Sequence, residues 1–401
     1  RSRDRAPIRV GIGRRDVYRR ALTALLRATL RLDVAINRVY PTDLNPLYYT
    51  GGLTNLFLFI LVLSGIFLFF YYVPSLSEGH ASITYLTEQV PYGGLIRGIH
   101  RYSGDAFFVA ALLHLFRNWF TDRYLISRDS PWISGMFMLL FGGFVGVTGY
   151  ILVWDDRGLA VLAIFERMLR AVPAAGGALG DLLVGGRGVG EGTLPRILLL
   201  HVGPASLLYV LLWWHYVRLR HPKIWPPATW VLASLGLVTL LAAVIPAVSG
   251  TPATPGGQPR AMPLDVFFLL PIWLATVVHP LVVVLVVAIL FTLGFVIPYV
   301  SRESVQEMGV RHAGVAQVID GNCTGCELCY YDCPYNAIVM APSPYPGLSR
   351  AAASRKLLAI VLDSRCVECG ICIGACPFEA LELPGFLESD VTRRVAEGVR
   401  A

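Results

Sequence analysis

The sequence predicts a mostly α, polytopic membrane bundle of about six transmembrane helices, followed by a small α+β domain at the C-terminus. Three observations predict it. Hydrophobic residues make up 55% of the 401 positions and charged residues 15%, with mean hydropathy +0.58, whereas a soluble domain carries about 25% charge. Apolar runs long enough to cross a bilayer recur up to about residue 300. Beyond that point the runs stop, charge rises, and all eight cysteines fall between Cys323 and Cys376. This composition excludes an ordinary soluble enzyme, a disordered chain and a nucleic-acid-binding protein.

Residues 1–40 form a basic arm with an interfacial helix. Eleven Arg stand against Asp4, Asp16 and Asp33, placing +8 on one short segment of a chain whose net charge is +7. Beside a hydrophobic body, such an arm meets anionic lipid or marks the inner side of a membrane. No short apolar stretch with a cleavage site follows Arg1, so no secretory leader is expected there. The spans are 53–73, about 95–118, 132–154, about 197–217, 228–248 and about 280–300. Pro271 and Pro280 divide the run 266–300 into a short interfacial helix and a final span.

Arg117, Arg123 and Arg128 follow the second span, and Arg218, Arg220 and Lys223 follow the fourth. Positive-inside asymmetry therefore puts the N-terminus inside, and six crossings return the C-terminus to that side. Cysteines confined to one reducing face agree with this. The domains expected are the arm (1–40), a four-helix unit (41–225), further membrane helices (226–300), a cysteine domain (301–388) and a polar tail (389–401).

The cysteine domain contains an internal repeat: VID-x-x-C at 318–323 recurs as VLD-x-x-C at 361–366, and every cysteine recurs 43 positions later. Each half reads as strand, cluster loop and second short strand, with a Pro-rich insertion at 341–355 between them. Cys323, Cys326, Cys329 and Cys333 stand at C-x2-C-x2-C-x3-C before Pro334. Cys366, Cys369, Cys372 and Cys376 repeat this before Pro377. Four thiolates so spaced suit a 4Fe–4S cube; paired zinc sites are the alternative, but zinc needs neither the third cysteine nor the trailing proline.

Over about residues 314–385 this part resembles the bacterial two-cluster ferredoxin, in which the fourth cysteine of each run serves the other cluster. The resemblance implies one cluster on Cys323, Cys326, Cys329 and Cys376. It implies a second on Cys366, Cys369, Cys372 and Cys333.

His100 and His114 lie 14 residues apart on one apolar segment, and His201 and His215 lie 14 apart on another. Fourteen residues are close to four helical turns, so each pair shares a face and is separated by roughly 21 Å. Two such helices facing each other make two stacked bis-histidine sites, one near each side of the bilayer. Intramembrane ionisable residues are functional candidates, and a flat cofactor such as haem suits this pattern better than packing or a proton relay. Gly51 and Gly65, and Gly135 and Gly149, repeat the same interval. Small residues at the level of each histidine would let a porphyrin edge approach the backbone; small-residue helix packing is the alternative. Arg97 and Arg117 flank the histidines and are placed to pair with haem propionates, Arg117 alternatively as a positive-inside anchor.

NPLYYTGG (45–52), LIRGIHRYSGDAFFVAALLHLFRNW (95–119), GYILVWDD (149–156) and TLPRILLLHVGPASLLYVLLWWH (193–215) resemble the cytochrome b of quinol-oxidising bc- and bf-type complexes, over about residues 40–300. The resemblance implies a four-helix core with two haem b: one between His100 and His201, nearer the outside, and one between His114 and His215, nearer the inside. It also implies a quinone pocket beside the inner haem, with Arg220 a candidate residue. A homodimer would follow the family's arrangement.

The sequence departs from the family on the outer side. The Pro-Glu-Trp-Tyr motif of quinol oxidation is replaced by Pro263-Leu264-Asp265-Val266, and only Asp155, Asp156 and Asp265 offer replacement carboxylates. An oxidation site needs a base for the quinol proton; solvated loop charge is the alternative role. The family's last two helices are absent, with the ferredoxin domain in their place. The glycine-rich VGGRGVGEG (184–192) lacks a P-loop lysine and reads as a loop. His80, His221, His279 and His312 read as interfacial or structural.

The expected function is the electron-transfer subunit of a membrane quinone oxidoreductase complex in a bacterial or archaeal cell membrane. Its expected partners are membrane lipids, quinone, and subunits of a respiratory or photosynthetic complex. These would be a cytoplasmic dehydrogenase, hydrogenase or ferredoxin inside, or a Rieske-type protein or cytochrome c outside. Alternatives are a bc-type quinol-oxidising cytochrome b with a Rieske partner, a redox-inert membrane anchor, and an ion-coupled module.

Overall fold

A computed structural model describes residues 24–25, 28–29, 31–40, 44–121, 124, 129–186, 188–219, 221–254, 267–307, 315–333, 335–342, 357–366 and 371–383, and for 300–307, 371 and 374 the backbone alone. Most of the basic arm, the tail, Arg220, Asp265, His312 and Cys369 lie outside these residues. The membrane part consists of α1 (Thr50–Phe69), α2 (Gly79–Glu88), α3 (Gly93–Phe120), α4 (Asp129–Leu152), α5 (Asp156–Arg170), α6 (Gly176–Val184), α7 (Thr193–Val217), α8 (Ala228–Val244), α9 (Leu270–Val277) and α10 (Pro280–Glu307). The mostly α, polytopic class is as the sequence predicts.

Among the described residues, four helical stretches are long and apolar enough to cross a membrane: Pro46–Phe69, Asp129–Leu152, Thr193–Val217 and Pro280–Tyr299. Helix α3 has the length, 28 residues, but carries Arg97, Arg101, Asp105 and Arg117. Helix α8 has 17 residues; it stops short of the expected 248 because Pro246 disfavours helix in the residue before it. The divided run near 280 is as expected: α9 ends at Val277, Val278 is extended, and Pro280 opens α10.

Helix ends follow local chemistry. Asn45 caps the turn Pro46–Tyr49 by accepting a hydrogen bond from the Leu47 amide. Asp155 caps α5 by accepting one from Gly158. In the core, α1 packs on α3 and α4 packs on α7, while α8 lies outside α3 and α10 outside α4. Trp154, Ile151, Leu162, Leu194, Ile197 and Leu269 form a fully buried cluster under the Asp155 end. Large apolar side chains stay exposed along α8 and α10, as lipid-facing surfaces require.

The C-terminal part carries β1 (Gln317–Val318), α11 (Leu328–Asp332), β2 (Ile338–Pro342), β3 (Leu357–Val361), α12 (Ile371–Ala375) and β4 (Leu381–Glu382). Strand β1 pairs antiparallel with β4, and β2 with β3. Each half of the repeat thus gives strand, loop, helix and strand, and the halves exchange strands around the cysteines.

Candidate functional site: two bis-histidine pairs and a cysteine core

Helices α3 and α7 bring the histidines together in the expected pairs. The His100 and His201 ring centroids are 6.4 Å apart, and those of His114 and His215 are also 6.4 Å apart. A metal–imidazole bond of about 2.0 Å on each side, plus about 1.1 Å from nitrogen to ring centre, would separate two imidazoles sharing one metal by about 6.2 Å. The pairs therefore fit one iron each.

Hydrogen bonds fix the tautomer. His100 Nδ1 lies 3.1 Å from the Leu61 carbonyl and 3.0 Å from Ser64 Oγ. His201 Nδ1 lies 2.9 Å from the Val145 carbonyl and 3.1 Å from Thr148 Oγ1. His215 Nδ1 contacts Ser134 Oγ at 3.0 Å and the Pro131 backbone. Since a carbonyl only accepts, these Nδ1 atoms carry the proton and Nε2 keeps its lone pair, as a metal ligand must. His114 Nδ1 meets Thr50 Oγ1 at 3.2 Å, and its Nε2 lies 3.3 Å from the Asn118 amide nitrogen, which can only donate to it. The hydroxyl residues Thr50, Ser64, Ser134 and Thr148 were not singled out from the sequence. A signal was present: each immediately precedes one of the four spaced glycines.

Each of the four spaced glycines faces one of the four histidine rings. A Cβ at Gly51 would stand 2.9 Å from His114 Cε1, at Gly65 3.2 Å from His100 Cε1, at Gly149 3.1 Å from His201 Cε1, and at Gly135 3.7 Å from His215 Cε1. At these positions the missing side chain leaves room for the imidazole. Gly65 and Gly149 back the His100–His201 pair, and Gly51 and Gly135 back the other.

The arginines separate. Arg97 is buried, and its hydrogen bonds go to the hydroxyls of Thr87 at 3.1 Å and Ser249 at 2.8 Å. With no carboxylate within 4 Å among the described residues, this buried cation suits an acidic group such as a propionate. Arg117 is shared with a carboxylate, while its Nε stays buried and unpartnered among the described residues. Its guanidinium holds Asp33 through two hydrogen bonds of 2.9 and 2.8 Å, with both side chains buried. Its charge is thereby neutralised within the protein.

Asp155 is not solvated loop charge. It is 3% exposed, and its two oxygens accept hydrogen bonds from the Gly158 and Gly250 amides, each at 2.8 Å. It fastens the turn before α5 to the strand-like segment after α8. Asp156 is half-buried and accepts from the Arg157 amide. His80 donates to the Gly250 carbonyl, and His279 accepts from the Leu281 amide; both are structural, as expected.

Cys323, Cys326, Cys329 and Cys376 line one small cavity, the set that the ferredoxin resemblance implies. Burial pushes the Cys326 thiol up to about 11 and raises Cys329 and Cys376 as well. A metal that draws off the protons stabilises thiolates in such a place. Cys333 and Cys376, equivalent in the repeat, accept from the Ala337 and Ala380 amides at 3.2 and 3.3 Å. Cys333 and Cys372 are buried and Cys366 is half-buried in the same core.

A cavity of about 230 Å³ extends from His114 and His215 to the C-terminal part, where Leu328, Tyr331 and Asp332 complete its wall. Paired histidines in a membrane bundle, joined to a cysteine core, define an integral membrane electron-transfer protein. Residues 35–223 match the family model described as cytochrome b/b6/petB, and residues 322–380 match that of the 4Fe–4S dicluster domain. The chain is 35% identical over 196 residues to cytochrome b6 of Chlamydomonas reinhardtii and 34% to that of Mastigocladus laminosus, covering 49% of this chain and 91% of each relative. A solved structure described as a hyperthermophilic respiratory Complex III shares the fold, with a TM-score of 0.54 and 19% identity over 64% of this chain and 76% of that one. The chain belongs to the cytochrome b/b6 family and carries a C-terminal 4Fe–4S dicluster domain.

Proposed function

We propose that the protein is the di-haem b, two-cluster electron-transfer subunit of a membrane quinone/quinol oxidoreductase complex in a bacterial or archaeal membrane. It relays electrons between a cytoplasmic-side iron–sulfur domain and the membrane quinone pool. The observation that carries this reading is the shared cavity: helix α11 of the cysteine domain closes the space that His114 and His215 open. Haem and 4Fe–4S centres each supply one-electron redox chemistry when bound.

The chain's own residues supply position and environment. Four histidines would hold the haem irons through ring nitrogens that are oriented by Nδ1 partners and backed by glycines. The eight cysteines divide into two ligand sets. Arg97 supplies buried positive charge near the His100 end. At the His114 end, Lys223, His221 and Asp332 line the cavity with groups that can hold or pass a proton to a quinone.

A bc-type subunit oxidising quinol on its outer face is the less supported reading. Asp155, one of its three candidate bases, is committed to two backbone amides. The test is a redox titration of the full chain in detergent, followed optically for haem and by EPR for clusters. Two b-type haems and two 4Fe–4S clusters are expected. Protein without haem absorption would overturn the relay and leave a membrane anchor. Thiol labelling of an added cysteine near the C-terminus in oriented vesicles tests the cytoplasmic placement.

A further inference from the structure

The two halves of the cysteine domain are built alike but do not face the same surroundings. Position by position, Cys329, Tyr330, Tyr331 and Asp332 of α11 recur as Cys372, Ile373, Gly374 and Ala375 of α12. Only α11 carries aromatic side chains, and these meet the membrane part. His221, in the connection from α7 to α8, stacks on Tyr330 with ring centroids 4.5 Å apart and an interplanar angle of 24°. Its Nε2 donates to Asn336 Oδ1 at 2.8 Å. Lys223 Nζ lies 4.6 Å from the Tyr49 ring and 4.2 Å from the Tyr331 ring, bridging the two parts by cation–π contact. Asn336 and its repeat equivalent Glu379 share a left-handed backbone, with φ of 52° and 51°. The turn is therefore common to both halves, whereas the side chain that meets His221 belongs to the first alone.

We infer that His221 and Lys223 dock α11 against the His114–His215 cavity. The thiol set of Cys323, Cys326, Cys329 and Cys376 is thereby the inward electron-exchange site, and the set containing Cys366, Cys372 and Cys333 serves an external redox partner. This inference rests on the proposed relay and deepens it by fixing the order of the sites. Cys329 sits on the same short helix as Leu328, Tyr331 and Asp332, which wall the cavity. The step is a single-electron exchange: one centre is oxidised by one electron, the other reduced by one, with no bond made or broken. His221 and Lys223 are positioning residues, setting distance and packing.

The test compares the full chain in lipid nanodiscs with the double variant His221→Leu, Lys223→Leu. Haem absorption and cluster EPR are expected to persist. Amide exchange over 328–336 should rise about tenfold, the scale of losing one hydrogen bond and one cation–π contact, while 371–380 stays unchanged. Single-turnover transfer between pre-reduced clusters and haem should slow by at least that factor. Lys223→Arg alone should retain both properties, and Ile373→Ala, on the outward helix, should leave the transfer rate unaltered. Unchanged exchange and transfer in the double variant would overturn the docking. Equal slowing by Ile373→Ala would overturn the inward assignment. Missing haem absorption in the unsubstituted protein would instead overturn the relay itself, while the exchange data still report docking.

Discussion

Arg117 and Asp33, 84 positions apart, form a bidentate ion pair whose side chains are 7% and 0% exposed. Arg117 also lies over the Tyr48 ring at 5.3 Å. The pair ties residues preceding the first span to the C-terminal end of α3. Removing one partner of a buried pair leaves the other charge uncompensated, at a cost of about 3–5 kcal/mol. Asp33→Asn is therefore expected to lower the unfolding midpoint sharply, and Asp33→Leu combined with Arg117→Met to recover most of it. Thermal unfolding followed by circular dichroism checks this; a single variant as stable as the parent would contradict it.

The inner pair offers a comparison of two glycines against two histidines. A Cβ at Gly51 comes within 2.9 Å of the His114 ring, but one at Gly135 reaches only 3.7 Å from His215. Gly51→Ala must displace the imidazole, whereas Gly135→Ala adds ordinary contact. Haem per protein, measured as the pyridine haemochrome, should fall by about half in the first and hold in the second, since one of two sites is disturbed. Equal retention would show that the ring has slack.

Ser64 and Thr148 lie 3.0 and 3.1 Å from the Nδ1 atoms of His100 and His201. Such partners beyond the ligands orient the ring and tune its basicity, and losing one costs about 10–100-fold in metal affinity. On the proposed arrangement, Ser64→Ala and Thr148→Ala should each weaken retention of the haem held by His100 and His201 against an apo-haem scavenger and shift its reduction potential. The haem proposed for His114 and His215 serves as an internal control. A shift confined to that second centre would refute the pairing.

Asp155 distinguishes a structural carboxylate from a catalytic one. Asp155→Ala loses an N-cap and the bond to Gly250, together worth about 2–3 kcal/mol. Asp155→Asn keeps an acceptor and should recover part of that stability. Neither should abolish quinone-linked turnover at a temperature where the variant is folded. Turnover that fails in a fully folded Asp155→Asn protein would restore this residue as the outer base.

Periodicity made much of this architecture legible. Fourteen-residue spacing placed four histidines and four glycines on matched faces, and a 43-residue repeat placed the cysteines. What escaped were side-chain roles set by partners distant along the chain. Arg117 reads as a cation at a helix end until Asp33 is brought to it, and Asp155 reads as loop charge until Gly250, 95 positions later, donates to it. His221 likewise reads as an unpaired interfacial residue, because its partners Tyr330 and Asn336 belong to another domain. The hydroxyl residues beside the histidines differ in kind. They stood in a visible pattern, next to every spaced glycine, and required only that the neighbouring position be read with it.

Both histidines on each side of the core belong to one continuous helix, His100 and His114 to α3, His201 and His215 to α7. Their separation, roughly 21 Å, is consequently written in helical rise and is indifferent to loop sequence. Insertions, deletions or wholesale replacement in the connecting loops leave the distance between the two histidine levels unchanged. The spacing of the two pairs is thus insulated from whatever module is joined to the bundle.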